Sequence, residues 1–322
     1  MAASYVGVDI GGTKISVACL AGGTLSAAVQ QPTEKTSTAH LLNQIVDAVE
    51  SIRTPDVAGV GIGVPSVVDF ATGTARSSVN IPLQGVALRR TLHERLNLPV
   101  VVDNDANVAA FAEAHDATGR LVTRDLVMFT VGTGVGGGLV LGGRSYRGAT
   151  GAAAELGHTL IGLDLTVTAP APRGFPQPGS LESLAAGREL DRLAQSTAVT
   201  APDSALGRRA AAGEMVLGTD AVDAAHAGDQ AAVCDVRLLG QRLGIGVANA
   251  INTFDPEVVA IGGGVSRAGD LLLDAAREVA AGYILPGVGT RTEIRLARHG
   301  VAAGVLGAAL TARAELDDEK RD

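Results

Sequence analysis

The chain has no tryptophan, two cysteines and three lysines among its 322 residues. Each scarcity removes a class of protein. With only 5 phenylalanines and 3 tyrosines besides, few aromatic faces exist on which bases or sugar rings could stack. Cys19 and Cys234 cannot build a disulfide framework or a four-thiolate metal site, and such usage suits a reducing cytoplasm. The start, MAASYVGVDIGGTK, reaches Asp9 too soon for an apolar signal core, so a soluble, cytoplasmic chain is expected. Long hydrophobic spans are missing too. The 18 uncharged residues from Leu126 to Gly143 contain seven glycines and two threonines, which predicts strand, turn and strand rather than a membrane helix. Positive charge is in deficit: 26 Lys plus Arg against 34 Asp plus Glu leave a net charge of −8. That balance argues against a chain built to bind nucleic acid or an anionic membrane. Lys14, Lys35 and Lys320 stand beside 23 arginines in an alanine- and glycine-rich chain, which reads as codon usage.

What is present is globular: hydrophobic residues make up 46% and charged residues 19%, and the length favours two domains or one two-lobed unit. Tyr5 to Leu20 predicts a hairpin turning at Gly11-Gly12-Thr13. Ala39 to Arg53 places its aliphatic residues on one helical face, and Val57 to Val64 is a short apolar strand. The strand Leu98 to Val102 runs into Asp103-Asn104-Asp105, where Asn104 or Asp105 can cap a helix. A second strand, glycine turn and strand follows, with the turn over Gly132 to Gly138. Helical patterns cover Leu181 to Ala194, Asp229 to Thr253, Ala268 to Ala281 and Val301 to Ala312, and Val258 to Ile261 is a buried strand. The alternation predicts an α/β fold with a first lobe over 1–120 and a second over 121–299. The C-terminal helix, 300–322, is expected to rejoin the first lobe.

Three glycine clusters end β-like runs: Gly11-Gly12, Gly132 to Gly138 and Gly262-Gly263-Gly264. Glycine lets backbone amides approach phosphate oxygens closely. Thr13 and Thr133 add hydroxyls, Lys14 adds a positive charge, and Asp9 is placed to hold magnesium directly or through water. One cluster alone would be an ordinary tight turn; three, two of them with threonine, favour a phosphate-binding cleft. The stretch Gly132-Thr133-Gly134-Val135-Gly136-Gly137 also fits the dinucleotide fingerprint, but that motif needs a following helix, and Leu139 to Leu141 reads as strand. A nicotinamide oxidoreductase is therefore a weak rival. Asn104, Asp105, Glu155, His158 and Glu182 are polar residues in apolar or glycine-rich surroundings. A carboxylate at Asp105, at a strand's end, could take the proton of an attacking hydroxyl, although helix capping explains it equally well. Glu155 and His158, three residues apart, share a face or turn, or form a surface pair.

With these segments in order, the chain resembles the ROK family (repressors, open reading frames and sugar kinases). DIGGTK at Asp9 to Lys14 resembles the first phosphate loop, and VGIGVP at Val60 to Pro65 the sugar-side strand. SVNIP at Ser78 to Pro82 resembles the sugar-binding asparagine segment, and VVDNDANVAAFAE at Val101 to Glu113 the catalytic stretch. VGTGVGGGLV at Val131 to Val140 resembles the second phosphate loop, and GAAAELGH at Gly151 to His158 the ExGH sugar motif. GSLES at Gly179 to Ser183 aligns its Glu182 with the family's final glutamate, and VVAIGGGV at Val258 to Val265 with the adenosine-side loop. The resemblance implies two lobes of the actin-like ATPase (ribonuclease H-like) type with a nucleotide and sugar cleft between them. It implies Asn80, Asn104, Asp105, Glu155, His158 and Glu182 as sugar-binding residues, with Asp105 the general base towards the 6-hydroxyl. It implies ATP and magnesium as cofactors, held by Asp9, Gly11, Gly12, Thr13, Lys14, Gly132, Thr133, Gly134, Gly262, Gly263 and Gly264. A homodimer or homotetramer is implied as well.

The departures from the family pattern matter. Family members carry a zinc motif, Cys-x-Cys-Gly-x-x-Gly-Cys, before the final glutamate. Here Arg173, Phe175 and Ser180 stand at the cysteine positions, so no zinc is expected, and packing or the proline-rich loop Pro170 to Gly179 must orient His158. Ser66 follows Pro65 where glycine is common, and Gln84 stands near the usual tryptophan. No DNA-binding segment is read ahead of Asp9, so a kinase is expected rather than a repressor. The expectation is an ATP-dependent hexose kinase acting on the 6-hydroxyl of glucose or a glucose-like aminosugar such as kanosamine (3-amino-3-deoxyglucose). Polyphosphate is an alternative donor, and a silent sugar sensor is the alternative of another class.

Overall fold

The computed structural model describes residues 3–78, 80–162 and 174–318. The chain divides into two compact units. One holds residues 1–128, 138–154 and 298–322; the other holds 129–137 and 155–297.

In the first unit the elements are β1 (Ser4–Ile10), β2 (Lys14–Ala21), β3 (Thr24–Leu25), β4 (Val29–Pro32), α1 (Thr38–Ile52), β5 (Val57–Val64), β6 (Ser66–Asp69), β7 (Thr74–Ser78), α2 (Leu88–Leu96), β8 (Val100–Asn104) and α3 (Asp105–Ala114). The sheet runs β3-β2-β1-β5-β8, with β4 paired to β2 and β6-β7 as a separate ribbon. β1 and β2 are antiparallel, whereas β1, β5 and β8 are parallel, with Asp9 level with Gly63 and Gly63 level with Asp103. Strand alternation sorts the side chains to two faces. Val6, Val8, Ile10, Val60, Ile62 and Val64 join the core formed with α1 and α2. The opposite face carries Tyr5, Gly7, Gly59, Gly61 and Gly63, and Tyr5 packs there with residues of α3 and the C-terminal helix.

That row of glycines explains the unusual strand VAGVGIGV. A Cβ at Gly7 would overlap the carbonyl oxygen of Val305, and one at Gly61 that of Ala308. The helix therefore seats its backbone directly on the sheet.

β9 (Leu126–Val131), β10 (Val135–Leu141) and β11 (Arg144–Ser145) follow. Glycines 136 to 138 lie inside β10, not in the turn as their composition suggested. The reason is close approach: a Cβ at Gly138 would overlap the Ala106 carbonyl oxygen at the start of α3. Residues 138–154 group with the first unit, where Gly138 meets the Ala106 carbonyl and Gly151 the Val68 carbonyl.

The second unit continues with α4 (Leu181–Ala185), α5 (Gly187–Thr200), α6 (Ala205–Ala211), α7 (Gly218–His226), α8 (Gln230–Phe254), β12 (Val258–Gly262), α9 (Asp270–Tyr283) and β13 (Glu293–Leu296). The second sheet has the order β11-β10-β9-β12-β13. Leu181 to Ala194 is not one helix: Ala186 breaks it, because the Gly187 N–H turns aside to the Gly132 carbonyl at 2.7 Å. The terminal helix, α10 (Ala303–Asp318), belongs to the first unit. Among the described residues no helix is long and apolar enough to cross a membrane.

Candidate active site

In the first unit the polar candidates gather at the carboxyl ends of β1, β5 and β8, where parallel sheets place reacting groups. The β1–β2 turn is Gly11, Gly12 and Thr13. The Gly11 N–H donates to the Lys14 carbonyl at 2.8 Å, and the Thr33 hydroxyl donates to the Gly11 carbonyl at 2.7 Å. Thr13 and Lys14 are exposed. Asn80 lies beside this turn: a Cβ at Gly12 would come 3.8 Å from the Asn80 Cβ.

Asp9 and Asp105 converge on Gly63. A Cβ there would stand 3.5 Å from the Asp105 Cα, 3.8 Å from Asp9 Oδ1 and 2.8 Å from a Val108 methyl. Burial pushes the Asp9 carboxyl up to about 6, against the pull of Lys14. On the other side, Gly304 of α10 packs so closely that a Cβ would overlap the Asp9 carboxylate. Asp9 is thus a hard oxygen donor on a rigid strand end, which fits magnesium held by one carboxylate together with phosphate oxygens.

Asn104 is the N-cap of α3. Its Oδ1 accepts from the N–H groups of Ala106 at 2.9 Å and Asn107 at 3.2 Å, and its Nδ2 donates to the Ser66 carbonyl at 3.3 Å. One amide hydrogen is left for a ligand. Asp103, just before it, is buried and held on both oxygens. Oδ1 accepts from Asn104 N at 2.7 Å and Asn107 Nδ2 at 3.0 Å, and Oδ2 accepts from Arg147 Nε at 2.7 Å. The Arg147 guanidinium also donates to Glu315 at 3.0 Å and lies 3.4 Å above the Phe70 ring. Neither Asp103 nor Arg147 stood out in the sequence, because the pair is 44 residues apart.

In the second unit three loops meet around Val131 to Val135. The second glycine turn closes with Gly132 N–H to the Gly134 carbonyl at 2.9 Å. Glu182 Oε2 accepts from Val135 N at 2.8 Å, and a Cβ at Gly134 would overlap that carboxylate. Gly157 presses on the Val135 carbonyl, where a Cβ could not fit. Gly263, with φ of 86°, sits against the Val131 carbonyl, so Gly262 to Gly264 adjoin Gly132 and Thr133. Glycine is required at both contacts.

Glu155 precedes and His158 ends the short 3-10 helix Leu156–His158, with Glu155 Oε2 3.8 Å from His158 Nε2. Desolvation raises the Glu155 carboxyl, His158 lowers it, and the charge of Glu182 raises it further. Glu155, His158 and Glu182 therefore form one electrostatic group. Of the zinc-frame positions, Arg173 lies outside the described residues, as does the start of the proline-rich loop. The other two have different work. The Phe175 ring stands edge-on to His158 at 5.2 Å, and the Ser180 side chain caps α4 by accepting from Ser183 N at 3.2 Å.

The fold and these loops are matched by one family model. The ROK family model covers residues 5–315, and the chain belongs to that family. A glucokinase of Halalkalibacterium halodurans is 35% identical over 94% of this chain and 93% of its own length. An N-acetyl-D-glucosamine kinase of Haemophilus influenzae is 32% identical over 95% of this chain and 98% of its own. Among solved structures, a ROK family glucokinase from Streptomyces griseus in complex with glucose and AMPPNP superposes with a TM-score of 0.82 at 33% identity, covering 97% of this chain and 99% of that one. The fold is accordingly that of the ROK sugar kinases, of the actin-like ATPase class.

Proposed function

We propose that the chain is an ATP-dependent hexose kinase that transfers the γ-phosphoryl group of ATP to the 6-hydroxyl of glucose or a glucose-like aminosugar. That it is a sugar kinase rests on whole-length likeness to glucokinases. The finer reading is supported by the place of Asp105, which opens α3 at the end of β8 with its Cα beside Gly63, the residue that the Asp9 carboxylate also borders. Asp105 takes the proton of the 6-hydroxyl as that oxygen bonds to the γ-phosphorus. The bond from phosphorus to the bridging oxygen breaks, and ADP leaves with the electron pair. Asn80, Asn104, Glu155, His158 and Glu182 hold the sugar hydroxyls. The backbone of Gly11 to Thr13 with Lys14, and that of Gly132 to Gly134, hold phosphate; Gly262 to Gly264 take the adenosine side. Magnesium would be held at Asp9 and would neutralise charge on the transferring group.

A kanosamine 6-kinase is the second reading, favoured by Ser66 and Gln84 on the sugar side. The test is ADP release with Mg-ATP across glucose, kanosamine, mannose, N-acetylglucosamine and N-acetylmannosamine. A sugar-dependent signal that falls ~10²–10⁴-fold in Asp105→Asn, the range for a lost general base, is the expected result. Unchanged turnover in that variant would remove Asp105 from the mechanism. The ranking of kcat/KM identifies the sugar.

A further inference from the structure

The turn over Gly132 to Gly134 is open at one end and blocked at the other. A Cβ at Gly132 would meet no atom within 4 Å, and Thr133 is exposed, so the turn faces free space there. At the other end lies α4. The Glu182 carboxylate accepts from Val135 N at 2.8 Å and fills the room that a Cβ at Gly134 would need. Just past the far end of α4, the Gly187 N–H donates to the Gly132 carbonyl at 2.7 Å. Contacts from both ends of α4 therefore grip the turn. α4 is itself fixed, because Leu181 is fully buried and packs on Gly246 of α8, and the Ser180 side chain caps the first turn. Of the two grips only Glu182 is a side chain. Its carboxylate makes the bond a charge-assisted one, about twice as strong as a neutral pair.

We propose that Glu182 is a positioning residue of the nucleotide site. Acting through Val135, its carboxylate holds Gly132 to Gly134 in the form that binds the nucleotide's phosphates, even with no sugar present. The inference rests on the kinase reading above, which gives that turn to phosphate and Glu182 to a sugar hydroxyl, and it adds a nucleotide-side role to the same side chain. A turn already held in its bound form loses less conformational freedom when the ligand arrives. The adenosine-side loop rests on the Val131 carbonyl through Gly263 and not on Val135. Losing the brace therefore weakens the hold on phosphate and spares adenosine.

The experiment measures calorimetric binding of AMP and AMPPNP, with magnesium and without sugar, to wild type and to Glu182→Ala, Glu182→Met and Glu182→Gln. Glu182→Ala should weaken AMPPNP about 10-fold, the scale of one hydrogen bond to a charged group, and leave AMP within about 2-fold. Glu182→Met, which fills the same space without a carboxylate, should repeat that split, so the result does not depend on a cavity or on the alanine variant folding. Glu182→Gln should keep most of the AMPPNP affinity, because its amide oxygen can still accept from Val135 N. Equal losses for AMP and AMPPNP, no loss in Glu182→Ala and Glu182→Met, or a loss as large in Glu182→Gln would overturn the assignment. If wild type binds AMPPNP but transfers no phosphoryl group to any sugar, the kinase reading falls while the split still decides the role of Glu182. If it binds neither nucleotide, both readings fall together.

Discussion

Replacing Arg147 with methionine should strip one partner from a buried carboxylate. Asp103 has a side chain only 4% exposed, and Arg147 is 18% exposed. Truncating one side of such a pair costs about 3–5 kcal/mol, and the guanidinium stacked on Phe70 adds ~0.5–2 kcal/mol. Asp103 keeps the Asn104 and Asn107 donors, and the Glu315 carboxylate is 38% exposed, so that second bond counts for little. The lower end, about 3 kcal/mol, is the expected loss. Arg147→Met, Asp103→Asn and the double variant form a cycle. Urea unfolding followed by circular dichroism supplies the free energies, and hydrogen exchange over β8 and α3 assigns the loss to the first unit. The double variant should cost less than the sum of the singles by ~0.5–3 kcal/mol. A loss below ~1 kcal/mol for Arg147→Met, the scale of an ordinary surface pair, or strict additivity, would refute the argument.

Other outcomes follow from other contacts. Gly61→Ala should yield no folded protein in a solubility and circular-dichroism screen, because its Cβ meets the Ala308 backbone, whereas Gly282→Ala, with open space around it, should fold normally. The Tyr5 hydroxyl is pushed up to about 12, chiefly by burial and then by its bond to Asp317. Its folded value lies above its ordinary value near 10, so its stabilising contribution is present below pH ~10 and lost as pH rises through about 12. Ultraviolet titration should show a late tyrosinate step that vanishes in Tyr5→Phe. Metal analysis of the purified protein should find no stoichiometric zinc, and one zinc per chain would refute the reading of Phe175 and Ser180. Phe175→Ala should raise KM for sugar severalfold at nearly constant kcat, since only the edge contact to His158 is lost; an unchanged KM would show that the ring does not orient His158.

Much of this molecule was legible locally. The Gly11 to Thr13 turn, the strand ends carrying Asp9 and Asp105, and the cap at the head of α3 are written in contiguous residues, where turn and capping chemistry act. The breaks came from contacts distant in sequence. Leu181 to Ala194 reads as one helix, and only the Gly132 carbonyl, far back in the chain, explains its interruption at Ala186. The glycines of VAGVGIGV are visible, but the helix backbone that Gly61 accommodates, at Ala308, lies far on in the chain. α2, LRRTLHERL, went unread although Leu88, Leu92 and Leu96 form a buried stripe at helical spacing between charged residues, and so did the short α6 and α7. The Asp103–Arg147 pair has no local signature. Glu182 is a sugar ligand by resemblance alone, and the bond its carboxylate accepts from the Val135 N–H is one that no spacing reveals.

The helix seated on Gly7 and Gly61 is made of residues 303–318, while the strands beneath it are among the first to be synthesised. During translation the sheet face that carries Gly7 and Gly61 therefore waits for the helix that covers it. The second unit, complete by residue 297, can close its own core sooner. The half begun first is therefore finished last, its sheet meeting α10 only once residues 303–318 have been made.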